Sequence, residues 1–203
     1  MTDQIRPYRM KRRAESQRRT RERITESAVA LHGTLGPART TMSAVAEHAG
    51  VRRSTLYRHF PDEAALFDAC SAHWAAANPP PDLAAWASIG DPRERLAVAL
   101  LELYAYYGRA QAMLENLLRD EATVPVVAER FAAFHGFLAA AGDALMAGRG
   151  LRGAARKRTL AAVGHAVAFS TWKSLVREQG LDDETAAALI GALVAGAGTR
   201  VSN

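Results

Sequence analysis

The ten residues from Val51 to Phe60, VRRSTLYRHF, concentrate hydrogen-bond donors in a short stretch of chain. Three apolar residues, Val51, Leu56 and Phe60, are available to face a core, and the other seven are polar. Arginine, serine, threonine and tyrosine side chains donate hydrogen bonds to phosphate oxygens and to the edges of nucleic-acid bases. This stretch therefore predicts a nucleic-acid contact, although a basic stretch by itself is more often a solvated face. The polar residues are Arg52, Arg53, Ser54, Thr55, Tyr57, Arg58 and His59.

The uneven distribution of charge along the chain favours the same chemistry. Residues 1–60 hold thirteen Arg and Lys against five Asp and Glu, whereas residues 61–203 hold thirteen against sixteen. A basic end of this kind attracts polyanions. A membrane surface would also require a large apolar face beside the charge, and residues 10–23 offer almost none. Nucleic acid is therefore the predicted partner, and no membrane contact is expected.

Other chemistry finds little support in residue spacing. The single cysteine, Cys70, excludes a disulfide framework and a cysteine-rich zinc site. His135 and His165 lack the spacing of a helical metal-binding pair, and the glycines of residues 147–153 follow no predicted strand, as a nucleotide-binding loop would. We predict neither metal, cofactor nor catalytic activity. A helical enzyme that uses Glu115, His135 or His165 remains an alternative.

The elements that must position the donor-rich stretch have a helical pattern. Alanine and leucine are abundant, and apolar residues recur at steps of three and four. The first helix is predicted over residues 18–35, and the three prolines in residues 78–82 predict a loop between two domains. Longer helices follow, of which the last two are predicted over residues 160–179 and 183–198.

Two short predicted helices flank Gly50. Thr40 or Thr41 can cap the first helix, and Gly50 supplies a turn that a residue with a Cβ would resist. The second helix begins near Arg53 and ends near Phe60. Such a pair is a helix-turn-helix, whose second helix can enter the major groove of DNA. The predicted fold is all-α, with an N-terminal three-helix helix-turn-helix DNA-binding domain and a larger C-terminal helical domain.

Residues 40–69, TTMSAVAEHAGVRRSTLYRHFPDEAALFDA, resemble the DNA-binding domain of the TetR family of transcriptional regulators. The matching features are Thr41, the Val45-Ala46 pair, the Ala49-Gly50-Val51 turn and above all the run STLYRHFPDEAALF. The resemblance covers about residues 18–75, whereas the remainder agrees with the family only in length and helical character.

Three segments are predicted from the composition and the resemblance together. Residues 1–17 form a basic arm, which its composition predicts to be disordered and to add phosphate or minor-groove contacts. Residues 18–76 form the helix-turn-helix domain, with the motif at about residues 41–60. Residues 77–203 form the effector-binding and dimerisation domain.

The resemblance implies a role for each polar position of the motif. The positions that contact the phosphate backbone are occupied in this chain by Thr41, Thr55, Tyr57 and His59. The positions that read bases are occupied by Arg52, Arg53 and Ser54, beside which Arg58 is also available. Because an arginine fork can donate to O6 and N7 of guanine together, G·C pairs are expected in each half-site.

The predicted function is that of a repressor released from a palindromic operator by a small-molecule effector. A twofold dimer would place two recognition helices in successive major grooves about 34–36 Å apart. The last two helices carry small residues at a spacing of four, and the resemblance also implies that they form the dimer surface. A cytoplasmic location is expected. An activator, a regulator controlled by a protein partner and a protein that coats nucleic acid without specificity remain alternatives.

The middle helices hold large and polar side chains that suit a mostly apolar effector pocket. An ordinary core with exposed edges would hold the same side chains, and for each single residue that structural interpretation is the more common one. An aromatic or otherwise apolar small molecule is the expected effector. The candidate ligand-binding residues are Tyr104, Tyr107, Glu115, Phe131, His135, His165, Phe169 and Trp172.

Overall fold

The computed structural model describes residues 5–199, with side chains described from Met10 onward. Every regular element in this part of the chain is a helix, which confirms the predicted all-α class. The helices are α1 (Ile5–Thr34), α2 (Met42–His48), α3 (Arg53–His59), α4 (Glu63–Ala77), α5 (Leu83–Ser88), α6 (Pro92–Asp120), α7 (Pro125–Met146), α8 (Gly153–Ala166), α9 (Phe169–Trp172) and α10 (Asp183–Ala197). A 3-10 turn spans Pro37–Arg39, and the π-helical segment Lys173–Glu178 continues α9.

The chain forms two compact units. Unit 1 comprises the residues up to Ala77 together with Ala112–Arg130, and unit 2 comprises Asn78–Gln111 and the residues from Phe131 onward. The first division falls beside the predicted loop of residues 78–82. Residues 112–130, in contrast, group with the helix-turn-helix rather than with the predicted C-terminal domain.

The first helix is longer than its sequence pattern predicted. α1 begins at Ile5, whereas the prediction placed its start at about Arg18. Glycine is absent from this stretch, and its arginines and glutamates favour helices. An exposed ion pair between Glu15 and Arg19, 2.7 Å apart, joins successive turns. The structure therefore differs from the disordered arm predicted over residues 1–17, of which the first four lie outside the described residues.

The core of unit 1 lies beneath the short helices. Ile24 and Ala28 of α1 are fully buried, and so is Leu56 of α3. Leu35 follows Ala28 by seven residues, which would place it on the same face of a longer helix, but it is 42% exposed because α1 has already ended at Thr34.

The core of unit 2 follows one face of α6. Its buried side chains include Leu96, Leu100, Leu103 and Tyr107, which recur at helical spacing. The prediction of one continuous helix over residues 160–179 is wrong, because the chain breaks between Ala166 and Phe169. The hydroxyls of Tyr104 and Tyr107 donate to the carbonyls of Ala166 and Val167. These two hydrogen bonds supply partners for buried carbonyls at the break.

Candidate nucleic-acid interface

The helix-turn-helix consists of α2, α3 and the tight turn between them. Thr41 is the N-cap of α2, because its Oγ1 accepts a hydrogen bond from the Ala44 N–H at 3.1 Å. Gly50 adopts a φ of 62°, in the left-handed region that favours glycine. The Val51 N–H then donates to the Ala46 carbonyl at 2.9 Å and closes the end of α2. These local interactions redirect the chain into α3, as the sequence predicted.

Two buried side chains anchor α3. Leu56 and Phe60 are both 0% exposed and lie one helical turn apart. The donor-rich side of α3 remains outside the core of unit 1. The exposed residues on that side are Arg52, Arg53, Ser54, Tyr57 and Arg58, and the half-buried ones are Thr55 and His59.

Two of the predicted DNA-contacting side chains interact with each other. The Arg53 Nη2 donates to the Tyr57 hydroxyl at 3.3 Å, and the guanidinium carbon lies 5.4 Å from the centre of the Tyr57 ring. The ring therefore restricts the guanidinium that is predicted to read a base. Because the Tyr57 oxygen acts as an acceptor in this pair, its own hydrogen is available for a phosphate.

An arginine from α1 holds the C-terminal end of α3. The Arg21 Nη1 donates to the His59 carbonyl at 2.6 Å, and its guanidinium carbon lies 4.1 Å from the centre of the Phe60 ring. The cation thus interacts with the negative end of the helix dipole. Sequence analysis missed this role of Arg21, since no local pattern links residues 38 positions apart.

The surroundings of His59 disfavour the protonated form of its imidazole. Burial lowers the pKa of His59, and the positive charges of Arg58 and Arg21 lower it further. Its Nε2 is buried and has no hydrogen-bond partner among the described residues. In this ring orientation, the predicted phosphate contact of His59 would come from Nδ1.

Three residues at the C-terminal end of α6, named the α6 tie, are Asn116, Arg119 and Asp120. The Asn116 Nδ2 donates to the carbonyls of His32 and Gly33, each at 2.9 Å. The Arg119 Nη2 donates to the Leu35 carbonyl at 2.9 Å. These donors satisfy carbonyls at the end of α1 that no intrahelical N–H can reach.

The third member of the tie holds the turn that precedes α2. The Asp120 Oδ2 accepts a hydrogen bond from the Ala38 N–H at 2.9 Å, and Oδ1 forms an ion pair with Arg119 at 2.8 Å. Burial alone would raise the pKa of Asp120, but these hydrogen bonds and nearby positive charges hold it below its usual value. The ionised carboxylate thereby fixes the 3-10 turn that leads to Thr41. Sequence analysis missed the tie because its partners lie more than eighty residues away.

Four of the predicted effector residues form an aromatic cluster in the core of unit 2. The ring of Tyr107 lies 6.4 Å from that of Tyr104 and 5.3 Å from that of Phe169, which lies 5.3 Å from Trp172. The Trp172 Nε1 donates to the Asp183 carboxylate at 2.9 Å. Burial raises the pKa of both tyrosines, so their hydroxyls stay protonated as donors. Both hydroxyls and the indole N–H of the cluster therefore already have protein partners.

The other four predicted effector residues lie elsewhere. Phe131 and His135 are neighbours on α7, with ring centres 5.2 Å apart. Glu115 belongs to unit 1, and His165 is exposed at the end of α8.

A groove of about 480 Å³ lies on unit 2 between α6 and α10. None of the eight predicted effector residues lines it. Small apolar side chains dominate its walls, with Arg93, Arg149 and Glu184 at polar positions. The apolar lining residues are Leu96, Ala97, Leu101, Ala187, Ala188, Gly191 and Ala195.

The described part of the chain also bears on metal and membrane chemistry. Within residues 5–199, no group of three or more His, Cys, Asp or Glu side chains is placed to hold a metal ion. Over the same residues, every helix is too short or too polar to span a bilayer.

A capped α2, a glycine turn and an anchored α3 with exposed donors define a helix-turn-helix DNA-binding regulator. Residues 24–70 match the family model for bacterial regulatory proteins of the tetR family. Residues 24–70 therefore form a DNA-binding domain of the TetR family of transcriptional regulators, in agreement with the resemblance carried by residues 40–69.

Solved structures share this fold over most of the chain. A Clostridium perfringens protein described as a regulator of fatty acid metabolism has a TM-score of 0.64 at 16% identity, over 89% of this chain and 100% of its own. A Rhodococcus transcriptional regulator has a TM-score of 0.58 at 20% identity, over 89% of this chain and 99% of its own. The SmeT–triclosan complex has a TM-score of 0.56 at 24% identity, over 88% of this chain and 90% of its own. No curated protein sequence matches this chain.

Proposed function

We propose that this regulator is a repressor that binds an inverted-repeat operator as a homodimer and leaves it when a small-molecule effector binds unit 2. The observation that carries the proposal is the anchoring of α3. With Leu56 and Phe60 fully buried, the donors on the other side of the helix remain exposed. A helix presented in this way can enter the major groove and contact both phosphates and base edges.

Each polar residue of the motif keeps its predicted role in this proposal. Bases are read by Arg52, Arg53 and Ser54, with Arg58 beside them. Phosphates are bound by Thr41, Thr55, Tyr57 and His59. Arg52 and Arg53 should select guanine, because only this base offers two acceptors that match the arginine fork in the major groove.

Uncovered small-residue faces on the helices near the C-terminus support the dimer. On α10, Leu189 and Leu193 are 44% and 58% exposed. Small residues beside them let helix backbones approach closely, and their apolar surface favours burial against a second copy. The exposed small residues are Ala161 and Gly164 on α8, and Ala188, Ala192 and Gly196 on α10. Trp172, one helical turn beyond Ala168, is fully buried and does not belong to this surface.

We keep the eight predicted residues as the candidate effector site, with one requirement that follows from their burial. Tyr104, Tyr107 and Trp172 are fully buried, and their polar atoms already have protein partners. An effector that contacts them must therefore open the aromatic cluster, at the cost of those hydrogen bonds. An apolar, aromatic molecule suits this cluster best, and the ligand of the structurally similar SmeT complex is triclosan. We expect a cytoplasmic protein without catalytic activity.

Selection of bound sequences from random duplex DNA tests the proposal directly. The expected result is an inverted repeat with half-site centres one helical turn apart and with G·C pairs in each half. Compounds that release the purified protein from this site would then identify the effector class. A reporter gene behind the selected site separates a repressor from an activator. Similar affinity for all duplexes would contradict the proposal and favour a protein that coats nucleic acid.

A further inference from the structure

Residues 5–23, named the N-terminal extension, continue α1 beyond the core of unit 1. Ile24 is the first buried residue of this helix among those whose side chains are described. From Met10 to Arg23 every side chain is exposed except that of Thr20, which is half-buried. At 1.5 Å a residue, the extension is a helix about 28 Å long. The proposed roles of α3 assign no function to this exposed helix.

The composition of the extension fits a polyanion. Residues 10–23 contain seven Arg and Lys against two Glu, and their apolar side chains are limited to Met10 and Ala14. A membrane surface or a partner helix would each need an apolar stripe, which this segment lacks. A nucleic-acid backbone needs only cations.

One face of the extension carries three arginines in line. Arg12, Arg19 and Arg23 lie within about 40° of each other around the helix, with Ser16 and Thr20 between them. These residues line one shallow groove with Glu15. About 16 Å separates Arg12 from Arg23 along the helix axis. The Arg19 side chain is 73% exposed, so its ion pair with Glu15 can be exchanged for a phosphate at little cost.

The extension leaves unit 1 beside the recognition helix. Arg21 donates to the His59 carbonyl at 2.6 Å and stacks on the Phe60 ring, so this turn of α1 lies against the C-terminal end of α3. The bases are read from residues at the other end of α3 in the proposed function. The cations of the extension therefore begin where the proposed base contacts end.

We propose that the N-terminal extension is a second DNA-contacting helix, which binds the phosphate backbone flanking the base pairs read by α3. The contact is made by the face that carries Arg12, Arg19 and Arg23. It rests on the proposed DNA binding by α3 and adds affinity and salt dependence without base preference, because phosphates carry no direct sequence information. It also lengthens the stretch of DNA that each copy of the chain protects.

A pair of triple variants of the full-length protein tests the contact. The first carries R12A, R19A and R23A, and the matched control carries K11A, R13A and R18A, which removes the same charge from other faces. Alanine favours helices, so circular dichroism should show undiminished helix content in both. The probe is the duplex found by selection with full-length protein, with either long or minimal flanks.

The expected result is specific to the arginine face. On the long duplex, loss of three phosphate contacts should make the slope of log affinity against log salt shallower by about 2.7 for each chain bound. The control should change this slope by less than half as much, and the protected footprint should shorten only for the first variant. On the minimal duplex the two variants should bind alike.

Three outcomes would overturn the inference: equal losses in both variants, no loss in either, or the same difference on both duplexes. Each of them leaves specific binding by α3 intact. Failure of the proposed function is distinguishable, because the full-length protein would then select no sequence at all.

Discussion

The carboxylate of Asp120 accepts a hydrogen bond from the backbone N–H of Ala38 at 2.9 Å. A side chain at the end of α6 thereby holds the 3-10 turn from which the chain enters α2. Arg119 binds the same carboxylate and also the Leu35 carbonyl, so one ion pair joins the end of α1 to the start of the helix-turn-helix. The orientation of α2 and α3 within unit 1 consequently depends on α6 residues far away in sequence.

A methyl group at Gly36 should disrupt this arrangement. Gly36 has a φ of 91°, and an added Cβ would lie 2.0 Å from the Arg119 Nη2 and 2.5 Å from the Asp120 Oδ2. Gly36→Ala therefore adds backbone strain, because a φ of 91° with a ψ of 158° is a conformation essentially restricted to glycine, and it also displaces both side chains of the tie. We expect a lower free energy of unfolding in urea. Gly50→Ala is the control, since its φ is also positive but nothing lies within 4 Å of the added Cβ. The tie has no such role if both variants lose equal stability.

The stability of the protein should fall between pH 6.5 and pH 4 because of His32. This imidazole is buried, with its Nδ1 3.4 Å from the Cys70 Sγ. Burial lowers the pKa of His32 from 6.5 to about 4, against the opposing effect of Asp120. In this window the unfolded chain binds a proton that the folded chain does not. Acidification therefore favours unfolding, by about 3 kcal/mol over the whole window.

The variant His32→Leu isolates this contribution. Leucine fills a similar volume and does not titrate, so carboxylates such as Asp120 act in both proteins. From pH 7.5 to pH 4, the free energy of unfolding of the wild type should fall by about 3 kcal/mol more than that of the variant. If the free energies of unfolding from urea denaturation fall equally in both proteins across that range, the imidazole does not control acid stability.

Substitutions at Arg53 and Tyr57 should affect DNA binding in different ways. Arg53→Ala removes a proposed base contact, so preference at one base pair should relax by about 1–3 kcal/mol. Tyr57→Phe keeps the ring beside the guanidinium but removes the proposed phosphate donor, so affinity should fall by a similar factor for all sequences. Competition binding with single-base variants of the selected site measures both effects. The reverse pattern would exchange the two proposed roles.

Arg95 should be a major source of stability in unit 2. Its guanidinium is buried and donates to the carbonyls of Ile89, Ala144 and Ala147 at 2.6–2.9 Å. Arg95→Met leaves these carbonyls without their donor, and we expect a loss of at least about 3 kcal/mol in thermal or urea unfolding.

The control for Arg95 is the exposed neighbour Arg93. Arg93→Met removes the same charge from the same turn of α6, and its effect should stay within about 0.5 kcal/mol. A comparable loss in both variants would assign the effect to net charge rather than to the buried hydrogen bonds.

The predictions that the structure confirms in the helix-turn-helix rest on interactions between residues close together in sequence. The cap at Thr41, the turn at Gly50 and the extent of α3 follow from hydrogen bonds and backbone preferences within a few positions. The burial of Leu56 and Phe60 follows from helical spacing. The start of α1 was misplaced because a high content of charged residues was taken to indicate disorder. Helix formation depends instead on the propensity of each residue and on pairs such as Glu15 with Arg19.

The sequence by itself determined the all-α class, the position of the helix-turn-helix and the side of α3 that carries donors, because these depend on periodicity and local hydrogen bonding. Only the tertiary structure decided that Arg21 holds the end of α3 and that Asp120 holds the turn before α2. It also placed Tyr107 and Trp172 in a closed aromatic cluster. Aromatic residues have the same types and spacing in a pocket as in a core, and partners separated by tens of residues leave no periodic signal.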